Sequence, residues 1–165
     1  MRIMKKLALV GMAGLGTVAV SQAQAADVTG NASATIQQAI ALSEDTAMNF
    51  ATIVADPTGD VVTLTAAGGV TGTGASTFTG TPDAGAFSAT GTPSAAVTVS
   101  FSSGDTLTGP GAAMGLGTFT TDAGGSPAFD GSGNLAFNVG ANLTVNAGQV
   151  GGAYAGTYTL TVDYQ

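Results

Sequence analysis

Carboxylates are the only side chains in this sequence that point to acid–base chemistry beyond its first six positions. There are ten of them in 165 residues, with no His and no Cys, and the three cations are Arg2, Lys5 and Lys6. A Ser-His-Asp triad, a Cys-His pair and a His- or Cys-based metal site are therefore excluded. Beyond Lys6, Schiff-base and Ser-Lys chemistry are excluded as well. What remains is a carboxylate pair, as used in glycoside hydrolysis or by aspartic proteases. The spacing does not supply one. Asp56, Asp60, Asp83, Asp105, Asp122 and Asp130 fall singly in turn-like sequence, where a carboxylate ordinarily bonds its own backbone. No Asp-Thr-Gly or Asp-Ser-Gly protease signature occurs. The sequence thus predicts no enzyme, no catalytic residue, no metal and no cofactor.

Asp130-Gly131-Ser132-Gly133-Asn134 places oxygen-bearing side chains between glycines, as a calcium loop does. It lacks the twelve-residue frame and terminal acidic ligand of an EF-hand and reads as a turn. Asn31-Ala32-Ser33 and Asn142-Leu143-Thr144 match a glycosylation triplet, which carries no information behind a bacterial-type leader. The Thr-Gly runs between Thr71 and Thr81 lack the regular spacing of an ice-binding face and read as solvent-facing strand threonines.

Residues 1–25 have the form of a secretory signal. Arg2, Lys5 and Lys6 precede an apolar run from Leu7 to Val20, and Ala23 and Ala25 stand at the A-x-A positions. That run is shorter than the roughly 20 residues a spanning helix needs, so no membrane span is expected once the signal is removed. The expected location is the periplasm, outer surface or exterior of a Gram-negative-type bacterium. The mature chain, 26–165, then carries all ten carboxylates and no basic side chain. Nucleic acid is excluded as a partner, because phosphates would meet only carboxylates. No salt bridge can form within the mature domain, and without Cys no disulfide can either.

The elements that must hold such a domain together are strands. Thr and Val are common, Glu44 is the only glutamate, and glycines recur at short intervals. Val28, Gly30, Ala32, Ala34, Ile36, Ile40 and Leu42 share one phase of a two-residue alternation, predicting strand through 28–42. Met48, Phe50 and Ile53 suggest a short strand, Asp56 to Asp60 a turn, and Val61 to Thr65 its hairpin partner. Residues 67–83 read as a plain loop or weak edge strand, and 106–133 give no clear assignment. Phe87 to Thr90, Val97 to Phe101, Leu135 to Val139 and Leu143 to Val145 read as strands. The clearest alternation is Tyr158, Leu160, Val162 and Tyr164. The expectation is a single all-β domain, an immunoglobulin-like or pilin-like antiparallel β-sandwich without a disulfide.

Two resemblances follow from these segments. The run Phe137 to Leu143, the run Gly152 to Tyr164 and the segment Met48 to Ile53 resemble the bacterial secreted family called domain of unknown function 4402. That family implies no activity. More loosely, the chain resembles the cysteine-free chaperone–usher pilins, sandwiches that lack a strand and receive it from a neighbour. Gly152 stands fourteenth from the end, Tyr164 next to last, and Tyr158, Leu160 and Val162 alternate between them. The pilin resemblance implies a fibre subunit assembled by β-strand addition. Its candidate donor face is Val28, Ala32, Ala34 and Ile36, and its candidate assembly strand carries Gly152, Tyr158, Leu160, Val162 and Tyr164. The implied partners are copies of the chain itself and a periplasmic chaperone and usher. The donor face departs from that pattern in being small, with Ala and Gly at its centre. The competing expectation is a monomeric extracellular module that binds a carbohydrate or surface polymer.

Overall fold

A computed structural model describes residues 24–165. The predicted signal segment lies, up to residue 23, outside the described residues. The chain divides into two units, Met1–Thr35 and Ile36–Gln165. In the first, residues 24–35 form no helix or strand and are exposed throughout. The second is all-β, and no helix occurs among the described residues.

Eleven strands follow in order: β1 (Ala41–Thr46), β2 (Thr52–Val54), β3 (Asp60–Leu64), β4 (Val70–Gly72), β5 (Thr77–Thr79), β6 (Gly85–Thr90), β7 (Val97–Phe101), β8 (Asp105–Leu107), β9 (Met114–Thr121), β10 (Asn134–Val145) and β11 (Leu160–Tyr164). All pairings are antiparallel. The large sheet runs β1-β6-β10-β3-β4, with β9 beside β10 and β8 beside β9. β7 and β11 form a separate two-stranded sheet, as do β2 and β5. Together they make a curled, sandwich-like arrangement.

The twelve-residue β10 organises the large sheet. Residues Asn134 to Val139 pair with β6, and Ala141 to Val145 pair with β3. Gly140 stands between the two registers, where a Cβ would run into the Leu64 carbonyl and the following peptide. The absence of a side chain lets one strand change partners without a break. This is why the two short strands read from the sequence on either side of Gly140 are one continuous strand.

Alternation drives the packing. β3 buries Asp60, Val62 and Leu64, and β10 buries Phe137, Val139, Ala141, Leu143 and Val145. Two apolar clusters result. One joins Phe87, Ala89, Val97, Phe129, Phe137, Val139 and Val162, beneath the β7–β11 pair. The other joins Phe50, Val62, Leu64, Met114, Leu116, Ala141, Leu143 and Val145. Met48, Phe119 and Tyr158 pack against both. Phe119 stacks on Phe101 at 5.0 Å and lies 4.9 Å from Tyr158, an aromatic seam between the clusters.

Three expectations need correction. The strand expected over 28–42 begins only at Ala41, where ladder pairing with Thr90 starts, and residues 24–40 form no strand. β3 does not hairpin with the 48–53 segment. It pairs with β10 and β4, while β2 pairs with β5. Residues 67–83, read as a plain loop or weak edge strand, contain the edge strand β4 and also β5, so the loop alternative falls, and the unassigned 106–133 stretch contains most of the β8–β9 hairpin.

Candidate functional site

Several strands have an edge without a ladder partner, β1, β4, β8 and β11 among them. β1 is bonded only to β6, and β11 only to β7. β1 has no buried side chain along its six residues, an unusual state for a strand bearing Leu42. Residues of β1 and β11 share the lining of a cavity of about 370 Å³. Leu42 and Glu44 line it from β1, and Tyr158 and Leu160 from the C-terminal segment, with Phe87 and Leu116 also in its lining.

A second cavity of about 750 Å³ continues from it, bounded by residues 48–55 on one side and 149–156 on the other. Met114, Leu143 and Val145 of the core also line it. Met48, Phe50, Leu107 and Gly156 line both cavities, so the two adjoin as compartments of one groove. A Cβ on Gly156 would collide with the Thr106 carbonyl, so glycine lets this wall approach β8.

The walls are tied down by hydrogen bonds that spend their polar groups internally. The Tyr154 hydroxyl donates to the Val150 carbonyl at 2.7 Å and accepts from the Gly111 amide at 2.9 Å and Gln149 Nε2 at 2.8 Å. Gln149 Nε2 also donates to the Ala112 carbonyl. On the opposite wall the Asn49 amide donates to the Asp83 carbonyl at 2.8 Å, and Asn49 Oδ1 accepts the Ala51 amide, holding Ala51 at φ 58°. The groove is therefore a framed slot rather than a slack loop.

Its lining is mixed: the smaller compartment is mainly apolar, and the larger exposes polar and apolar surface about equally. Glu44 is the only charged residue lining either compartment. The Tyr158 hydroxyl is buried without a partner, and its pKa is pushed up to about 12, first by burial and then by the Glu44 charge. It cannot act as an acid or base near neutral pH.

Three other carboxylates, Asp56, Asp60 and Asp130, serve the backbone. Asp60 Oδ1 accepts from the Thr73 amide, the Thr73 hydroxyl and the Gly74 amide at 2.7–2.8 Å. Asp56 Oδ2 accepts the Ala75 amide and Asp56 Oδ1 the Thr58 amide. These two carboxylates clasp the turn between β4 and β5, away from the groove. The Asp60 carboxyl is held down to about 2, first by the Ser76 hydroxyl and further by Thr73 and Gly74. Asp60 Oδ2 is buried without a hydrogen-bond partner, and Ser76 Oγ accepts the Asp56 amide at 3.1 Å. In the calcium-like sequence, Asp130 Oδ1 accepts the Ser132 and Asn134 amides, closing a turn and holding its carboxyl below the usual range. Among the described residues no three Asp or Glu side chains gather as metal ligands.

The residues singled out in the sequence distribute as follows. Gly152 lines the larger compartment, and Tyr158 and Leu160 line the smaller. Val162 is buried in the neighbouring cluster. The Tyr164 hydroxyl donates to the Gln38 carbonyl and accepts the Thr92 amide, both at 2.7 Å. Val28 and Ile36 are 94% and 91% exposed, and Ala32 and Ala34 are also exposed, all outside any strand. The other large exposed apolar side chains are Leu42, Val54 and Val150. Leu42 and Val150 line the groove, and Val54 sits between the lining residues Ile53 and Ala55. Sequence reasoning missed Leu42, Ile53, Leu107 and Val150 as site residues, because nothing local marks segments that meet only through the fold.

No helix among the described residues is long and apolar enough to cross a membrane. No curated protein and no solved structure matches this sequence. The family model described as "Domain of unknown function (DUF4402)" matches residues 40–164. That span starts one residue before β1 and ends with β11, so it takes in both open edges and the whole groove, and leaves out residues 28–36. The chain therefore belongs to the DUF4402 family.

Proposed function

We propose that this protein is a non-catalytic, exported structural subunit that assembles by β-strand addition, as a pilin-like fibre component does. The observation that carries the reading is a groove, apolar in its smaller compartment, that is lined by residues of β1 and β11, two strands each paired on one side only. An inserted strand would give β1 and β11 the ladder partners they lack and would cover Leu42. A spare strand is at hand: residues 26–36 are unpaired, uncharged after Asp27, and alternate in phase from Val28 to Ile36. The partners are further copies of the chain, with a periplasmic chaperone and usher as the export machinery that such an open groove requires. Gene neighbours encoding such a pair would support that part of the reading.

The test is assembly of a chain lacking residues 26–36. The account expects a folded domain that no longer forms detergent-resistant oligomers. Oligomers that persist unchanged after the deletion would refute it. The competing reading, a monomeric carbohydrate-binding module, has less behind it. The Gln149 amide and Tyr154 hydroxyl at the groove are already committed to protein partners, and the sequence contains no Trp. A reproducible glycan-array signal that survives deletion of 26–36 would favour it instead.

A further inference from the structure

We propose that Asp56, Asp60 and Ser76, gathered at the turn between β4 and β5, form a calcium site in which one cation bridges the two carboxylates. The site lies outside the groove, and the inference is independent of strand addition.

The first argument is an oxygen left over. Asp60 is 7% exposed and Ser76 9%. Asp60 Oδ1 accepts three hydrogen bonds, from the Thr73 amide, the Thr73 hydroxyl and the Gly74 amide. Oδ2 of the same carboxylate is buried and accepts none. The Ser76 hydroxyl stands beside this carboxyl and favours its charged form, yet makes no hydrogen bond to Oδ2. A buried anionic oxygen without a partner is unfavourable, and a cation is the partner that relieves it most fully.

The second argument is charge. A Cβ on Gly74 would stand 2.8 Å from Asp56 Oδ2 and 3.3 Å from the Asp60 carboxyl carbon, which puts those two atoms within about 6 Å of each other. Like charges so close repel, and the Asp60 charge opposes ionisation of Asp56. Both carboxyls are nonetheless held below the usual range by hydrogen bonds, so both stay charged at neutral pH. No Lys, Arg or His follows Lys6, so no side chain of the β-unit can supply the counter-charge. It has to come from solution.

The third argument is the donor set. Asp56 precedes β3, Asp60 opens it, and Ser76 directly precedes β5. Ser76 Oγ accepts the Asp56 amide at 3.1 Å and keeps a second lone pair. Carboxylate, hydroxyl and water oxygens are the ligands calcium takes, in irregular and adaptable geometry. Magnesium demands a near-ideal octahedron, which carboxylates already fixed by the Thr58, Thr73, Gly74 and Ala75 amides cannot rearrange to give. A Cβ on Gly72 would collide with Asp60 Oδ2, so glycine is what leaves that oxygen in place. The calcium-like sequence at Asp130 has no such feature: Asp130 is exposed, and its Oδ1 closes its own turn. Spacing along the chain gave no sign of the site, because its donors meet only through the fold. A cation there would pin the turn before β3 to the turn before β5, a link that no salt bridge or disulfide of this chain can make.

Calcium titration of the EDTA-treated full chain tests the proposal, followed by amide NMR and thermal unfolding. With two carboxylates, a Kd of about 10⁻⁴–10⁻³ M is expected, the range of extracellular modules. Saturable shifts should centre on residues 56–60 and 72–76, and 10 mM calcium should raise Tm by about 4–8 °C. Asp60→Asn should abolish both responses, and Asp56→Asn should weaken them at least tenfold in Kd. The second variant carries the test if the first does not fold. Asp130→Asn should respond as the unsubstituted protein does. No response up to 10 mM, the same response from NaCl at matched ionic strength, or a response that survives both Asp56→Asn and Asp60→Asn would overturn the site. Equal affinity for magnesium would overturn its assignment to calcium.

Discussion

One half of the large sheet is covered by the five-residue strands β7 and β11, and the other by the three-residue strands β2 and β5 together with irregular chain. Over the first half, β7 and β11 lay Val97 and Val162 onto Phe87, Phe137 and Val139, and Phe87 stacks on Phe137 at 5.9 Å. Over the second half, the cover is the 48–55 and 149–156 segments, and between them the groove reaches Leu116, Leu143 and Val145. Both halves have fully buried floors, with Val62, Leu64, Val97 and Val139 at 0% exposure. The difference lies in the lid. The sheet is complete as a platform in both halves, yet only one half has a full complement of strands above it. On the strand-addition proposal, that contrast is what an inserted strand would remove.

Substitutions can sharpen this contrast. The largest effect is expected from Phe137→Ala, in the covered half, at about 3–5 kcal/mol. Urea unfolding of monomeric protein would measure it. Gly140→Ala forces a methyl against the Leu64 carbonyl at the point where β10 changes partners. Overpacking of this kind costs about 1–3 kcal/mol, and because the collision is with backbone the upper end is expected.

Acid should loosen the second half first. The folded Asp60 carboxyl titrates at about 2, against about 3.9 in an unfolded chain. A depressed carboxyl contributes stability that is fully present above the unfolded value and is lost as pH falls through the folded one. Stability from the β4–β5 turn should thus decline between about pH 4 and pH 2, and Asp60→Asn should flatten that decline. Urea midpoints above and below this window would show it. The smallest effect on the monomer is expected from Leu42→Ala, within about 0.5 kcal/mol, since β1 has no buried side chain. On the strand-addition proposal the same substitution should weaken assembly, because an added strand would cover the 39% of Leu42 that is exposed. A monomer destabilised by several kcal/mol would mean that Leu42 is already packed and the groove already filled.

How much of this was legible in the sequence follows the same division. β7 was read at its true bounds, and β3, β6 and β11 nearly so, because alternation over five or six residues with a buried face is a local signal. β4, β5 and β8 have three residues each, drawn largely from Gly and Thr, too few for any period to register. The continuity of β10 through Gly140 was hidden because it depends on two partners distant in sequence. The alternation from Val28 to Ile36 was visible, but its meaning was not, since this chain offers that segment no ladder. The groove was invisible for a related reason: a gap between β1 and β11 has no sequence of its own. Gly152, Tyr158 and Leu160 were named from a terminal pattern, and their place on the groove wall comes from the fold.

The central claim is that the two open edges accept a strand supplied by residues 26–38. Amide hydrogen exchange tests it most directly, on protein lacking residues 26–36 with and without a synthetic peptide of that sequence. The account predicts fast exchange along the outer edges of β1 and β11 in the protein alone. Adding the peptide should give marked protection at both edges, with β3 and the central part of β10 unchanged. Edges already protected without peptide, or unaltered by saturating peptide, would contradict it.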